Sequence, residues 1–173
     1  MKIAIIGYSG SGKSTLAKYL GEKYSAEVLY LDTVHWLPGW IERENREEKE
    51  AIVAEFMNKH SSWVIDGNYS KLLHDRRMEE ADKIIFMSFN RFSSFYRVIK
   101  RYVTYKGKTR ESITEGCPEK IDFEFAKWIL YEGRTKDKRN QYKELIKKYP
   151  DKIVIIKNQK QLTKYYKEIK EEK

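Results

Sequence analysis

The chain has 173 residues, with 35 Lys and Arg against 26 Asp and Glu, a formal net charge of +9, 14% aromatic residues and a single cysteine. One domain of this size buries roughly 70% of its unfolded surface, and the aromatic content excludes a disordered chain. Cys117 alone excludes an internal disulfide and a four-cysteine zinc site. The longest nearly uncharged stretch, 28–41, is too short to span a bilayer and is interrupted by Asp32, His35, Pro38 and Gly39. Lys2 runs directly into Ile3–Ile6 and a glycine without signal-peptide features. The expectation is a cytoplasmic protein without membrane association, monomeric or homodimeric.

In chain order, short apolar runs predict five strands at Ile3–Ile6, Val28–Leu31, Trp63–Ile65, Ile84–Phe89 and Ile153–Ile156. Helical periodicity predicts helices at Lys13–Tyr24, Arg43–Lys59, Lys71–Glu80, Arg91–Tyr105, Asp122–Tyr131, Lys136–Tyr149 and Gln159–Ile169. Apolar runs without alternation suit strands covered on both faces, and the β/α alternation predicts an α/β fold with a parallel sheet. In the helix over 91–105, Phe92, Phe95, Tyr96, Ile99, Tyr102 and Val103 form one face, read as the packing side, with Arg97 and Arg101 on another. No repeat or linker divides the chain, so 1–173 reads as one domain. Tyr105–Pro118 is its longest irregular stretch, and about 105–139 reads as a lid. The net positive charge comes entirely from the second half, with 23 basic and 12 acidic residues over 91–173 against 12 and 14 over 1–90. That half is expected to face an anion.

Gly7-Tyr8-Ser9-Gly10-Ser11-Gly12-Lys13-Ser14 matches G-x-x-x-x-G-K-[ST] between a strand and a helix. In this pattern backbone N–H groups cradle a phosphate chain, the lysine adds a point charge near the β/γ phosphates, and the serine hydroxyl ligates Mg²⁺. Gly7, Ser9, Gly10, Ser11, Gly12, Lys13, Ser14 and Thr15 are thus expected to bind ATP, and Ser14 to bind the metal.

This strand-loop-helix, Leu31-Asp32 and Val64-Ile65-Asp66-Gly67 together resemble the P-loop nucleoside and nucleotide kinases of the adenylate and shikimate kinase type. More narrowly, 31–40, Asp66-Gly67-Asn68-Tyr69 and 107–111 resemble the bacterial DNA topology modulation (FlaR-related) proteins. The resemblance implies a five-stranded parallel sheet in the order 2-3-1-4-5, a mobile helical lid, and ATP with Mg²⁺. It also implies that Asp66 orients water around the metal, and that lid arginines stabilise the transferred phosphate. The adenylate kinase segment that begins Asp-Gly continues with proline and arginine; here Asn68-Tyr69-Ser70 follows.

Asp32, just after a strand, is a candidate general base or metal-water ligand, with an N-cap or turn role as the alternative. His35, Trp36 and Trp40, around Pro38-Gly39, either line an acceptor pocket together with Asp32, Asp66 and Asn68 or plug the next helix onto the core. Arg97 and Arg101 lead the candidates for the transferred phosphate, then Arg134 and Arg139, with Arg110 last and Arg91 opening the helix. His60 and His74, without a surrounding motif, read as surface residues. The favoured function is a kinase acting on a nucleotide, nucleoside or other small acceptor. The alternative is an ATP-binding or ATP-hydrolysing regulator affecting DNA topology, while direct nucleic-acid binding is not expected because no recognition-helix or zinc-finger pattern is present.

Overall fold

The computed structural model describes residues 1–172. Strands β1 (Lys2–Gly7), β2 (Glu27–Tyr30), β5 (Trp63–Asp66), β6 (Lys83–Met87) and β7 (Ile153–Ile156) form a sheet in the order β2-β5-β1-β6-β7, every pair parallel. Counting only these core strands, the order is the expected 2-3-1-4-5. A separate antiparallel pair, β3 (Trp36–Leu37) and β4 (Ile41–Glu42), was not anticipated from sequence. Ile3, Ala4, Ile5 and Ile6 of the central strand are fully buried, because helices cover both faces. One core layer joins the sheet to α1 (Lys13–Tyr24) and α8 (Gln159–Glu171). The other joins it to α2 (Leu31–His35), α3 (Arg46–Lys59), α4 (His74–Glu80) and α7 (Lys136–Lys148).

Helix starts follow local chemistry. Asn45, Asn90, Asp122, Thr135 and Asn158 each accept a hydrogen bond from a backbone N–H three residues on, capping α3, α5 (Arg91–Tyr105), α6 (Phe123–Leu130), α7 and α8. A 3₁₀ turn, Glu132–Arg134, links α6 to α7.

Three expectations change. In α5 the buried residues are Ser94 and Val98, which pack against the Gly10 backbone, while Phe92, Tyr96, Ile99 and Val103 are exposed. Burial is decided by what the loop can accommodate at close approach, and a serine and a valine fit where aromatic rings do not. The second strand ends at Tyr30, so Asp32 sits in the short helix α2 rather than directly after a strand. His60 and His74 are half-buried. His60 lies beside the Phe56 ring, and burial pushes the His74 imidazole below its usual range. No helix among the described residues is long and apolar enough to cross a membrane.

Candidate functional site

The phosphate loop leaves β1 at Gly7 and enters α1 after Gly12, whose left-handed backbone (φ 97°) aims the first helical N–H groups into the loop. Lys13 Nζ donates to the Tyr8 carbonyl at 3.2 Å, so the ammonium lies over its own loop. Ser11 is buried with a hydroxyl lacking a partner, whereas Thr15 is exposed. Ser14 Oγ donates to Asp66 Oδ2 at 2.6 Å, joining the start of α1 to the end of β5. Asp66 Oδ1 is buried without a hydrogen-bond partner. Burial pushes this carboxyl up to about 6, against the opposing pull of Lys13 and Ser14, and the Asp32 charge raises it further.

Asp32 Oδ1 accepts the Tyr69 hydroxyl at 2.7 Å. Tyr69, His35, Trp36 and Trp40 then form a continuous aromatic wall, with ring centroids 4.7, 4.7 and 5.7 Å apart from one residue to the next. Burial holds the His35 imidazole below its usual range, despite Glu42 at 3.7 Å. Trp40 donates its indole N–H to the Pro118 carbonyl at 3.0 Å.

The segment after α5 docks onto this wall. Gly39 N–H donates to the Gly116 carbonyl, Cys117 Sγ to the Leu37 carbonyl and Thr114 Oγ1 to the Trp36 carbonyl. Arg101 and Arg110 meet on one buried carboxylate: Arg101 Nε donates to Glu119 Oε1 at 2.7 Å, and Arg110 Nε to Glu119 Oε2. Arg110 is near enough to Asp66 to favour its ionised form. Glu119 therefore fixes two guanidinium groups beside the crevice, and nothing in its Cys-Pro-Glu context marked it.

Arg97 lies against Gly12, where an added Cβ would approach its Nη2 to 3.3 Å. Its guanidinium also covers the Phe89 ring and donates to Gln159.

Other expected ligand-facing residues are placed differently. Asn68 accepts the Gly7 N–H at 2.7 Å and donates to the Gly7 carbonyl at 2.5 Å. Both ends of its amide clasp the phosphate loop rather than an acceptor. Arg134 is buried, donating to the Ile129 and Phe89 carbonyls and to Ser94 Oγ, with its guanidinium 3.8 Å from the Tyr8 ring centroid. These contacts tie it to Tyr8 of the phosphate loop and to the start of α5. Arg139 is exposed and donates to the Arg134 carbonyl, and Arg91 lies over the Tyr131 ring. Arg77, which sequence reasoning passed over, is fully buried and donates to the Gly67, Tyr69 and Leu72 carbonyls, shaping the turn that carries Asn68 and Tyr69.

Among the described residues no cluster of three or more His, Cys, Asp or Glu is placed to hold a metal. The protein instead offers the Ser14 hydroxyl and the Asp66 carboxylate with its unpartnered buried oxygen. That pair fits Mg²⁺, a hard cation that keeps several waters and binds through one or two protein oxygens plus substrate phosphates.

No protein-family model matches the chain, and no curated protein matches it. Solved structures do. A deoxyadenosine kinase from M. mycoides with bound dATP is 13% identical, with 98% of this chain and 99% of that one covered, at a TM-score of 0.51. A gluconokinase from Sinorhizobium meliloti 1021 is 16% identical over 97% and 88% of the two chains, at 0.52. A Thermus thermophilus protein is 14% identical over 98% and 95%, at 0.55. What the chain shares with these structures is the fold, a five-stranded parallel sheet covered by helices on both faces.

Proposed function

We propose that the protein transfers the γ-phosphate of ATP to a hydroxyl or phosphate of a small acceptor such as a nucleoside or nucleotide. The observation that carries this reading is the convergence of two carboxylates on one crevice: Asp66 bonded to Ser14 of the phosphate loop, and Asp32 near enough to influence it electrostatically. Ligands bind outside the carboxyl ends of strands in such sheets, and both groups stand there. The Gly7–Thr15 backbone holds the phosphate chain, and Lys13 adds positive charge at the loop. Mg²⁺, held by Ser14 and Asp66, neutralises charge on the phosphate oxygens when bound. Arg97 at Gly12, and Arg101 and Arg110 on Glu119, add fixed cations around the same site. Asp32, oriented by the Tyr69 hydroxyl, is assigned to accept the acceptor's proton, with the aromatic wall as its binding surface. The segment 105–139 serves as a lid whose first part closes against the β3–β4 hairpin, excluding water from the transferred group. The motif likeness to DNA topology modulation proteins belongs to this reading and leaves the acceptor open.

Isothermal titration with a non-hydrolysable ATP analogue and Mg²⁺ should show saturable binding to the wild type and at least tenfold weaker binding to Lys13→Ala, a loss of about 1.4 kcal/mol or more. Equal affinities would reject the phosphate-loop assignment. Once a screen with labelled ATP has found an acceptor, Asp32→Asn should lower turnover on the order of 100-fold, the scale of a positioned base. The melting temperature should stay unchanged, because Asn retains an oxygen for Tyr69. Full activity in that variant would return Asp32 to a structural role.

A further inference from the structure

The exposed side of α5 has no task in the proposed chemistry and no partner in the fold. At 100° per residue its stripe points about 150° away from the buried Ser94 and Val98. Phe92 is 74% exposed, Tyr96 67%, Ile99 41% and Val103 72%. Their spacings of four, three and four residues make the a/d seam by which one helix packs against another. α6 packs alongside α5 and extends the patch with Phe123, 82% exposed, and Tyr131, 63% exposed. Arg91, over the Tyr131 ring, ties the end of this second helix to the start of the first.

We infer that this α5/α6 face is a two-fold interface between two copies of the chain. The seam is self-complementary. With the helices antiparallel about a point between residues 97 and 98, Phe92 of one copy lies opposite Val103 of the other, and Tyr96 opposite Ile99. Large residues then meet smaller ones at every level, the pattern an isologous contact requires. The four basic residues of α5, Arg91, Arg97, Lys100 and Arg101, all lie off the seam, which is uncharged along its length. Lys100, on one flank of the seam, faces the flank that holds Ser93 of the other copy rather than a second lysine.

Area agrees as well. Taking about 200 Å² for an aromatic side chain, the exposed parts of Phe92, Tyr96, Phe123 and Tyr131 come to nearly 600 Å². Ile99 and Val103 carry the patch beyond the roughly 300–600 Å² of the largest patch on a typical monomer and toward the roughly 800 Å² per partner of a standard interface. The buried side of α5 faces the phosphate loop, so the seam lies on the side of that helix turned away from the loop.

Sedimentation equilibrium of the full chain from about 1 to about 100 µM, at and above the weak end of the µM-to-pM affinities of standard-size interfaces, should give a mass twice 20.8 kDa at the upper end. Tyr96→Glu and, separately, Val103→Glu should each weaken dimerisation at least tenfold while leaving thermal melting unchanged at a concentration where the wild type is monomeric, since both positions are solvent-facing in the single chain. A monomeric wild type throughout the range overturns the inference. So does a dimer whose dissociation constant neither substitution alters. A monomer that floats with vesicles containing anionic phospholipid, and loses that property in Tyr96→Glu, also overturns it, assigning the face to a membrane. None of these readouts depends on ATP or an acceptor, so failure here is distinct from failure of the kinase reading.

Discussion

Asp66→Asn is expected to yield a protein that melts higher than the wild type at pH 7 and has lost phosphoryl transfer. In the folded state burial lifts this carboxyl from 3.8 to about 6, so ionising it costs about 3 kcal/mol at 1.36 kcal/mol per unit. Asn has nearly the same shape, still accepts the Ser14 hydroxyl, and carries no charge to desolvate. For a chain of this size about 3 kcal/mol corresponds to roughly 6–12 °C in melting temperature. The folded protein holds the Asp66 proton more tightly than the unfolded chain does, so wild-type stability falls as pH rises from about 4 through about 6 and is level above that. The advantage of the variant should therefore vanish near pH 4 and reach its full size by pH 7. Denaturant unfolding of both proteins without Mg²⁺ at the two pH values measures it. A variant no more stable than the wild type at pH 7 would show that the carboxylate is already compensated in the fold. Loss of activity on the order of 100-fold should accompany the gain, because the substitution removes the charge that suits the pair to a divalent cation. Stability surrendered at one buried, underpaired group is the expected mark of a functional site.

Gly7→Ala should have the largest effect in the opposite direction. Gly7 is the last residue of the central strand, in register with Met87, and has φ 136°. A Cβ there would lie 2.3 Å from the Met87 carbonyl oxygen and 2.8 Å from Met87 N and C. These are backbone atoms of a neighbouring strand, and they cannot yield without breaking the Tyr8 N–H to Met87 carbonyl bond and shifting the Asn68 clasp. A destabilisation above about 4 kcal/mol follows, which is a drop of at least roughly 8 °C or failure to accumulate as folded protein. Gly39→Ala is the matched control: Gly39 also has positive φ, at 79°, but an added Cβ meets nothing within 4 Å. It should lose only about 1 kcal/mol, from backbone conformation alone. Similar losses at the two positions would mean that conformation, not the approach to β6, governs Gly7.

Local pattern determined much of this protein. The five core strands, the bounds of α1 and α5, and the phosphate loop were legible because each depends on neighbours a few residues apart: apolar runs, helical periodicity, and glycines before a lysine and a serine. Asp32 and Asp66 were legible as candidates because strand ends in such a sheet open on one crevice. The β3–β4 pair was missed, since two strands of two residues leave almost no periodic signal.

What only the tertiary structure decided concerns partners distant in sequence. Asn68 engages Gly7 across 61 positions and Arg134 engages Phe89 across 45, contacts that tie two candidate site residues to the phosphate loop and its surroundings. Glu119 gathers Arg101 and Arg110 into one cluster. The apolar stripe of α5 is visible in the sequence, but its direction is not. Periodicity states that a helix has two faces, and the close approach of Ser94 and Val98 to Gly10 selects which one the core receives.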